Sequence, residues 1–281
     1  PVMLPVGSYP AYYAGTTFYN IMYDYSELKR AWVKFMDDFG DMDTFMGPGL
    51  TPNGRIMDAL DVKIMKWPGH GIGKDVTMQQ IVEAEYMKAD EYDWFMMDPT
   101  DYNLRATMPR SAGIFEPFKN LPPLRMLFGA ASWVGLLANP EIRKIFQTLM
   151  DLSGEFMQQQ AAIMEVGRIA SERGYPSFFG GVMAQAPYDY FADMMRGTRG
   201  ITLDLYRQPE KLLEAIDVQL NLTIKTTIKN FPMTNCPVCM MPLHKGDDTF
   251  MSDKQFDKFY WPSLQKLFIA MIDEGLVPFP F

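Results

Sequence analysis

The stretch that decides the predicted fold spans residues 236–281 and reads CPVCMMPLHKGDDTFMSDKQFDKFYWPSLQKLFIAMIDEGLVPFPF. Residues 237–243 are apolar and predict a strand, a polar turn follows, and a helical pattern begins at Ser252. Residues 276–281 are again strand-like. Strand, polar loop, helix and strand form the repeating unit of parallel α/β proteins, in which the loops after the strand C-termini carry the chemistry. We therefore expect an active-site edge just after Leu243.

The rest of the chain alternates strand-like and helical patterns in the same way. Six strands are predicted, at residues 2–6, 44–46, 62–67, 177–183, 237–243 and 277–281. The main helices are predicted at residues 25–39, 77–97, 140–174 and 208–230. This alternation predicts an α/β fold, a single (β/α)8 TIM-barrel domain over residues 1–281. A full barrel takes about 250 residues at its leanest, but this chain spends its 281 residues on about six strands, and it begins and ends inside strand-like runs. We therefore expect an incomplete barrel, with about six of its eight strands and truncation at both ends.

Composition narrows the class of protein. The net charge of −8 gives no basic footprint, so nucleic acid is not an expected partner. The longest uncharged run, residues 126–138, is shorter than the roughly 20 residues of a membrane-spanning helix, so no membrane partner is expected. Two cysteines are too few for a disulfide framework, which favours a reducing cytoplasm. The 24 methionines are interpreted as core filler, with a bound tetrapyrrole as the alternative.

The polar turn after the strand at residues 237–243 holds the first candidate site. A histidine beside two carboxylates suits proton transfer, because imidazole titrates near neutral pH and the acids can orient it. The catalytic candidates are His244, Asp247 and Asp248, and the substrate-binding candidate is Lys245. Ser252 and Gln255 have the spacing of a capping box, which fixes where the next helix begins. The alternative is a solvated turn whose aspartates interact with the helix dipole.

A second polar cluster, QAPYDYFADMMR, occupies residues 185–196 after the predicted strand at residues 177–183. It leads from a loop into a helix and combines acids with polar aromatic residues. Tyr190 and Asp193 share a helix face, and Arg196 lies three residues beyond Asp193, which is the spacing of an ordinary ion pair. We take Asp193 as a catalytic candidate, and Tyr188, Tyr190 and Arg196 as substrate-binding candidates.

Cys236 and Cys239 form a C-x-x-C pair, and His244 follows five residues later. Thiolates and imidazoles bind zinc, and a catalytic zinc needs three protein ligands and an open position. Cys239 and His244 are therefore candidate metal ligands. Side chains alternate along a strand, however, so the two cysteines would face opposite sides of an extended run. Buried core cysteines are the alternative that we favour.

Several segments match one known pattern. They are PVMLP at residues 1–5, AYYAG at 11–15, EYMKADEYD at 85–93, FFGG at 178–181 with AP at 186–187, and LHKGDD at 243–248 with FMS-x3-F-x2-F-x2-P at 250–262. Together they resemble the uroporphyrinogen decarboxylase superfamily. The branch most similar to this chain is the methyltransferase-like one, related to methyl-corrinoid:thiol methyltransferases. The resemblance covers nearly the whole chain and implies a β/α barrel.

Two departures from that pattern bear on the reaction. Uroporphyrinogen decarboxylases hold substrate carboxylates with an arginine-rich segment after the first strand, where this chain has residues 7–15 and no arginine. Tyr12 lies in that segment and is taken as a substrate-binding candidate. The decarboxylases also place an aspartate against the pyrroles, where this chain has MGPG at residues 46–49. A polycarboxylate would leave its charges unpaired here, which disfavours uroporphyrinogen as the substrate.

The resemblance also implies a function. A methyltransferase-like enzyme moves a methyl group between a small-molecule donor, a corrinoid held by a partner protein, and a thiol or similar acceptor, with zinc lowering the thiol pKa. Zinc-dependent relatives carry a His-x-Cys motif after the strand that matches residues 277–281, so the zinc ligands are expected beyond Phe281. The alternatives are a decarboxylase of uroporphyrinogen or another carboxylated substrate, with His244 or Asp248 as proton donor, and a non-catalytic binding subunit.

Overall fold

A computed structural model of the chain describes residues 6–76, 78–178, 183–228 and 236–281. The chain divides into two compact units, and each unit is built from two separate segments. Unit one comprises Pro1–Val82 and Met108–Phe178, and unit two comprises Glu83–Thr107 and Phe179–Phe281.

Unit one is mostly helical. Its helices are α1 (Tyr9–Tyr13), α2 (Phe18–Tyr23), α3 (Tyr25–Asp38), α4 (Gly54–Leu60), α7 (Met108–Ser111), α8 (Gly129–Ala138) and α9 (Pro140–Glu172). Two 3-10 segments lie at Gly113–Asn120 and Leu124–Met126. Its three strands are β1 (Met65–Pro68), β2 (Gly71–Ile72) and β3 (Gln80–Ile81).

The core of unit one forms where α3 packs on α9. Leu28, Trp32 and Phe35 recur along one face of α3 at helical spacing and are buried. Val166 and Ala170 supply the facing surface of α9. Asp24 caps α3 by accepting bonds from two backbone amides of its first turn, so the helix begins where its apolar face begins.

Unit two holds the remaining helices. They are α5 (Tyr92–Met97), α6 (Pro99–Tyr102), α10 (Pro187–Met194), α11 (Gly197–Arg207), α12 (Pro209–Leu222), α13 (Asp253–Gln255) and α14 (Trp261–Asp273). Short π-helical segments lie at Asn103–Thr107, Thr223–Ile228 and Phe256–Tyr260. The strands β4 (Val238–Met241) and β5 (Val277–Pro280) pair in parallel, with Val238 opposite Val277 and Met241 opposite Pro280.

The β4–β5 pair lies in the core of unit two. Cys239 and Met241 of β4 are fully buried, together with Leu267 and Met271 of α14, the helix that connects the two strands. The amides of Val277 and Phe281 donate to the carbonyls of Pro237 and Met241, respectively. Backbone polar groups alternate in direction along a strand, so the backbone nitrogens of Pro278 and Pro280 point away from β4. Proline has no N–H, and the side of β5 away from β4 therefore lacks two amide donors.

The structure contradicts the TIM-barrel prediction. The described residues are dominated by helix, and their five strands, each two to four residues long, form one three-stranded and one two-stranded sheet. The three-stranded sheet is mixed, because β1 pairs in parallel with β2 and antiparallel with β3. A barrel requires eight parallel strands that pair in a closed ring. The incomplete barrel and the TIM-barrel assignment are therefore wrong.

Several of the individual strands and helices were predicted correctly. The strands predicted at residues 237–243 and 277–281 are present as β4 and β5, and the helices predicted at 25–39 and 140–174 are present as α3 and α9. The predicted strands at 44–46 and 177–183 are represented by single parallel bridges, Phe45 with Ser177 and Met183 with Met240. Residues 1–5 and 179–182 of the predicted strands lie outside the described residues.

Candidate functional site

The loop after β4 is held by one buried carboxylate, Asp189. Asp189 accepts hydrogen bonds from the backbone amides of His244, at 2.9 Å, and of Lys245, at 3.0 Å. The hydroxyl of Tyr260 donates to the same side chain at 2.7 Å. These three bonds fix the backbone at His244, so the position of the histidine is set by a residue 55 positions earlier.

Asp189 lies in the first turn of α10, which Pro187 begins. Proline is suited to that position, and the helix dipole favours an acidic residue there. Burial raises the pKa of the Asp189 carboxyl, while the bonds from Tyr260 and from the two amides act in the opposite direction. The charged form therefore depends on these three donors.

Tyr260 contacts the loop twice, through its hydroxyl bond to Asp189 and through the packing of its ring on Gly246. Its pKa is raised by burial and by the neighbouring Asp189 carboxylate, so the hydroxyl stays protonated and acts as a donor. Gly246 packs under the Tyr260 ring so closely that an added Cβ would lie 2.6 Å from two ring atoms. The predicted capping box between Ser252 and Gln255 is confirmed, and it begins α13 immediately before the aromatic turn that carries Tyr260.

His244 and Asp193 form the chemically most significant pair of the site. The Nδ1 atom of His244 lies 2.6 Å from Oδ2 of Asp193. The His244 side chain is 45% exposed and that of Asp193 is 13% exposed, so a shielded carboxylate orients an accessible imidazole. The Gln185 amide donates to the same Asp193 oxygen at 3.3 Å. Asp189 and Asp193 are one helical turn apart on α10, so one helix holds both the backbone and the ring of His244.

An apolar pocket adjoins His244. Its volume is about 320 Å³. The lining combines aromatic rings and aliphatic side chains with two polar residues, and it includes Leu243, His244, Asp247, Phe256, Trp261 and Phe268. The Phe256 ring stacks on that of Trp261, with centroids 6.3 Å apart and planes at 15°. A pocket of this size and lining suits a small molecule with an apolar body.

Of the other candidates of the loop, Asp247 and Asp248 are exposed and Lys245 is half-buried. Asp247 accepts a hydrogen bond from the Thr249 amide, which is a local turn contact, and it also lines the pocket. The Lys245 ammonium lies over the Phe250 ring, 4.3 Å from its centroid, while its backbone amide binds Asp189.

The candidates of the second cluster are divided between the loop and the core. Tyr188 is buried, and the centroid of its ring lies 5.6 Å from that of the Tyr260 ring. Burial raises the pKa of the Tyr190 hydroxyl to about 12. Arg196 is buried and donates from Nε to Asp204 at 2.6 Å and from Nη1 to the Met87 carbonyl at 2.6 Å. The expected pairing of Arg196 with Asp193 is replaced by this ion pair.

Tyr12 belongs to unit one and donates to the Val76 carbonyl at 3.3 Å.

The described residues do not fit a zinc site. Cys239 is fully buried, and burial raises the pKa of its thiol to about 11, so the thiolate that zinc requires is disfavoured. Within residues 6–76, 78–178, 183–228 and 236–281, no group of three or more His, Cys, Asp or Glu side chains could hold a metal ion. Cys239 and His244 are thus not brought together with a third ligand in that part of the chain.

Asp189, Tyr260 and Gln185 were not among the predicted site residues. The signal for Asp189 was available, because it precedes Asp193 by four residues and both therefore lie on one face of the predicted helix. Tyr260 gave no such signal, since its spacing along the helix is that of a core residue.

Comparison of the chain with protein-family models, with curated proteins and with solved structures finds no match. Across the described ranges, no helix combines the length and the apolar content needed to cross a bilayer.

Proposed function

We propose that the chain is an enzyme in which His244, oriented by Asp193, exchanges a proton with a small molecule bound in the adjoining pocket. The observation that carries this proposal is the 2.6 Å contact between Nδ1 of His244 and Oδ2 of Asp193 at the edge of an apolar pocket. A carboxylate on Nδ1 fixes the tautomer of the ring and leaves Nε2 to exchange the proton. Such a pair contributes about 10²- to 10⁴-fold to a rate.

Methyl transfer to a thiol is the reaction that we place first. The residues that build the loop, His244, Gly246 and the run from Phe250 to Pro262, belong to the segment that resembles the methyltransferase-like branch. When a thiol sulfur takes a methyl group, the S–H bond breaks and its proton goes to His244, while the bond between the methyl carbon and its donor breaks and its electron pair stays on the donor. The donor would be a methyl-corrinoid carried by a partner protein, as the resemblance implies. No step is assigned to zinc, because the described residues do not fit it.

Decarboxylation of a carboxylated substrate is the second candidate. Loss of carbon dioxide leaves the electron pair of the broken C–C bond on carbon, and protonated His244 would donate the proton that this carbon takes up. The observation in its favour is the same pair, because the Asp193 carboxylate on Nδ1 orients the ring and leaves Nε2 as the atom that exchanges a proton. The pocket volume of about 320 Å³ lies at the lower end of the range for ligand sites, which favours a substrate smaller than a tetrapyrrole.

The proposed compartment is the cytoplasm, and the proposed partner is a corrinoid protein. Two cysteines are too few for a disulfide framework, which favours a reducing cytoplasm. The net charge of −8 disfavours nucleic acid. A corrinoid protein is the partner that the resemblance to the methyltransferase-like branch implies, together with a small-molecule methyl donor.

The substitution His244→Asn tests the proposal. The side-chain amide nitrogen of asparagine takes the place of Nδ1, but asparagine has no atom in the place of Nε2, so the contact with Asp193 can be kept while the proton-exchanging atom is lost. The matched control is His70→Asn, which alters the other histidine of the chain, in unit one. Methyl transfer from methylcobalamin to a panel of thiols is followed by mass spectrometry, and carbon dioxide release from a panel of carboxylic acids is followed in parallel.

We expect H244N to lose about 100-fold or more of the active reaction and H70N to retain it. Full activity in H244N contradicts the proposal. Binding of the ligands without either reaction in the unaltered protein supports the non-catalytic binding subunit instead.

A further inference from the structure

The solvent-facing side of α9 carries a stripe of methionines. Met150, Met157 and Met164 are 60%, 63% and 72% exposed, and they recur every seven residues along the 33-residue helix. Gly154 and Ala161, both exposed, fall between them on the same face. The opposite face of α9 is the buried one. Exposed apolar stripes of this length mark interaction surfaces, and a seven-residue repeat is the pattern of helix pairing.

We propose that two copies of this chain associate through α9, with the two helices antiparallel and centred on Met157. A two-fold axis through Met157 relates the copies, so a residue that lies a given number of positions before Met157 in one copy faces the residue the same number of positions after Met157 in the other copy. Met150 then lies opposite Met164 of the other copy. Gly154 and Ala161 give room for the helices to approach, and methionine side chains adapt to fill the seam.

The charges at the two ends of the stripe support this direction of pairing. Arg143 lies 14 residues before Met157 and Glu172 lies 15 residues after it, and both are exposed. Antiparallel helices place Arg143 of one copy beside Glu172 of the other. A parallel pair would place Arg143 beside Arg143 and Glu172 beside Glu172, which is unfavourable. Opposite charges at both ends therefore select the antiparallel arrangement.

A second complementary contact arises one turn further in. Phe146, exposed on the stripe face, lies 11 residues before Met157, and Arg168 lies 11 residues after it. The antiparallel pair brings the Arg168 guanidinium to the Phe146 ring of the other copy, where a cation–π contact forms. Within its own helix, Arg168 also pairs with Glu165 and Glu172.

Cysteine cross-linking separates this arrangement from its alternatives. Met157→Cys places a thiol on the two-fold axis, and mild oxidation should join two copies in one disulfide. Met150→Cys alone should not cross-link, because the two thiols would lie about 21 Å apart along the helix axis. A mixture of M150C and M164C chains should cross-link to each other. The unaltered chain is the control, since Cys236 and Cys239 are buried.

Light scattering after size-exclusion chromatography tests the association itself. The unaltered chain should be a dimer, and Met157→Glu should shift it to a monomer with an unchanged circular dichroism spectrum. Met97→Glu, at a methionine 69% exposed in unit two, is the matched control and should leave the dimer intact. A monomer across the whole concentration series, or M150C chains that cross-link as efficiently as M157C chains, overturns the proposal.

Discussion

The hydroxyl of Tyr260 donates a 2.7 Å hydrogen bond to Oδ2 of Asp189, a residue 71 positions earlier in the chain. Both side chains are buried in unit two. The bond joins the aromatic turn before α14 to the start of α10. Because Asp189 also accepts from the amides of His244 and Lys245, the loop after β4 is anchored from both sides.

Asp189→Asn should destabilise the protein. An amide can accept through its oxygen alone, so its NH2 group would face at least one of the three donors that now bind the carboxylate. A buried donor left without an acceptor costs about 1–3 kcal/mol of unfolding free energy, which urea denaturation measures. Asp257→Asn, at an exposed aspartate of the same region, is the control and should change stability by less than about 0.5 kcal/mol. Equal stability of both variants would contradict the anchoring role.

The stability cost of D189N should depend on pH. The folded-state pKa of Asp189 is raised above its unfolded value, so its contribution is complete below the unfolded pKa and is lost as pH rises through the folded pKa. Asparagine does not titrate. The difference in unfolding free energy between the unaltered protein and D189N should therefore shrink as pH rises from acid towards neutral, in matched urea titrations. A difference that grows over this window would show that the three donors outweigh burial.

Gly246→Ala should disturb the loop, because the new methyl group would meet the Tyr260 ring at 2.6 Å. Crowding of this kind costs about 1–3 kcal/mol. The control is Gly167→Ala, on α9 but off the methionine stripe, where the described residues leave the space around an added Cβ open and where alanine should stabilise the helix by about 0.5–1 kcal/mol. Thermal unfolding of the two variants should therefore shift in opposite directions. A G246A protein as stable as the unaltered one would mean that Tyr260 moves aside freely.

Arg196→Ala should be strongly destabilising. It removes the buried guanidinium that pairs with Asp204 and leaves that carboxylate, which also accepts from the Tyr92 hydroxyl, without its cation. Breaking a buried ion pair in this way costs about 3–5 kcal/mol. Arg199→Ala, at an exposed residue of α11, should be nearly neutral. Comparable unfolding midpoints for R196A and R199A would argue that Arg196 is dispensable to the fold, as a substrate-binding residue would be.

Cys239 should resist alkylation in the folded protein. Burial raises the pKa of its thiol to about 11, and the thiolate is the reactive form. Iodoacetamide at neutral pH should therefore label Cys239 in urea and leave it largely unlabelled in buffer, as read by peptide mass spectrometry. Rapid labelling in buffer would indicate that the loop end of β4 opens.

The sequence was informative where one pattern decided the structure. The apolar spacing of α3 and the caps of α9 predicted those helices, because amphipathic periodicity and capping are local properties. The run at residues 77–97 shows the limit of this approach. Its spacing suggested one helix, but Gln80–Ile81 pairs with β1, and among the described residues 78–97 only Tyr92–Met97 is helical. Pairing with a distant strand overrode the local preference.

The site was predictable in residue type but not in partnership. His244 and Asp193 were both candidates, yet 51 positions separate them, and their contact depends on how α10 packs beside the loop. Arg196 was expected to pair with Asp193 three residues away, and the buried Asp204 is its partner instead. Spacing gives the neighbours along one helix, whereas burial decides which charges must be paired.

The two prolines of β5 have a consequence for self-association. An exposed strand edge normally invites a strand from another molecule, which can lead to aggregation. On the side away from β4, Pro278 and Pro280 withhold the amides that an incoming strand would bind, while their rings occupy the space that it would enter. Pro278 and Pro280 therefore disfavour the addition of a strand from another molecule at this edge of unit two.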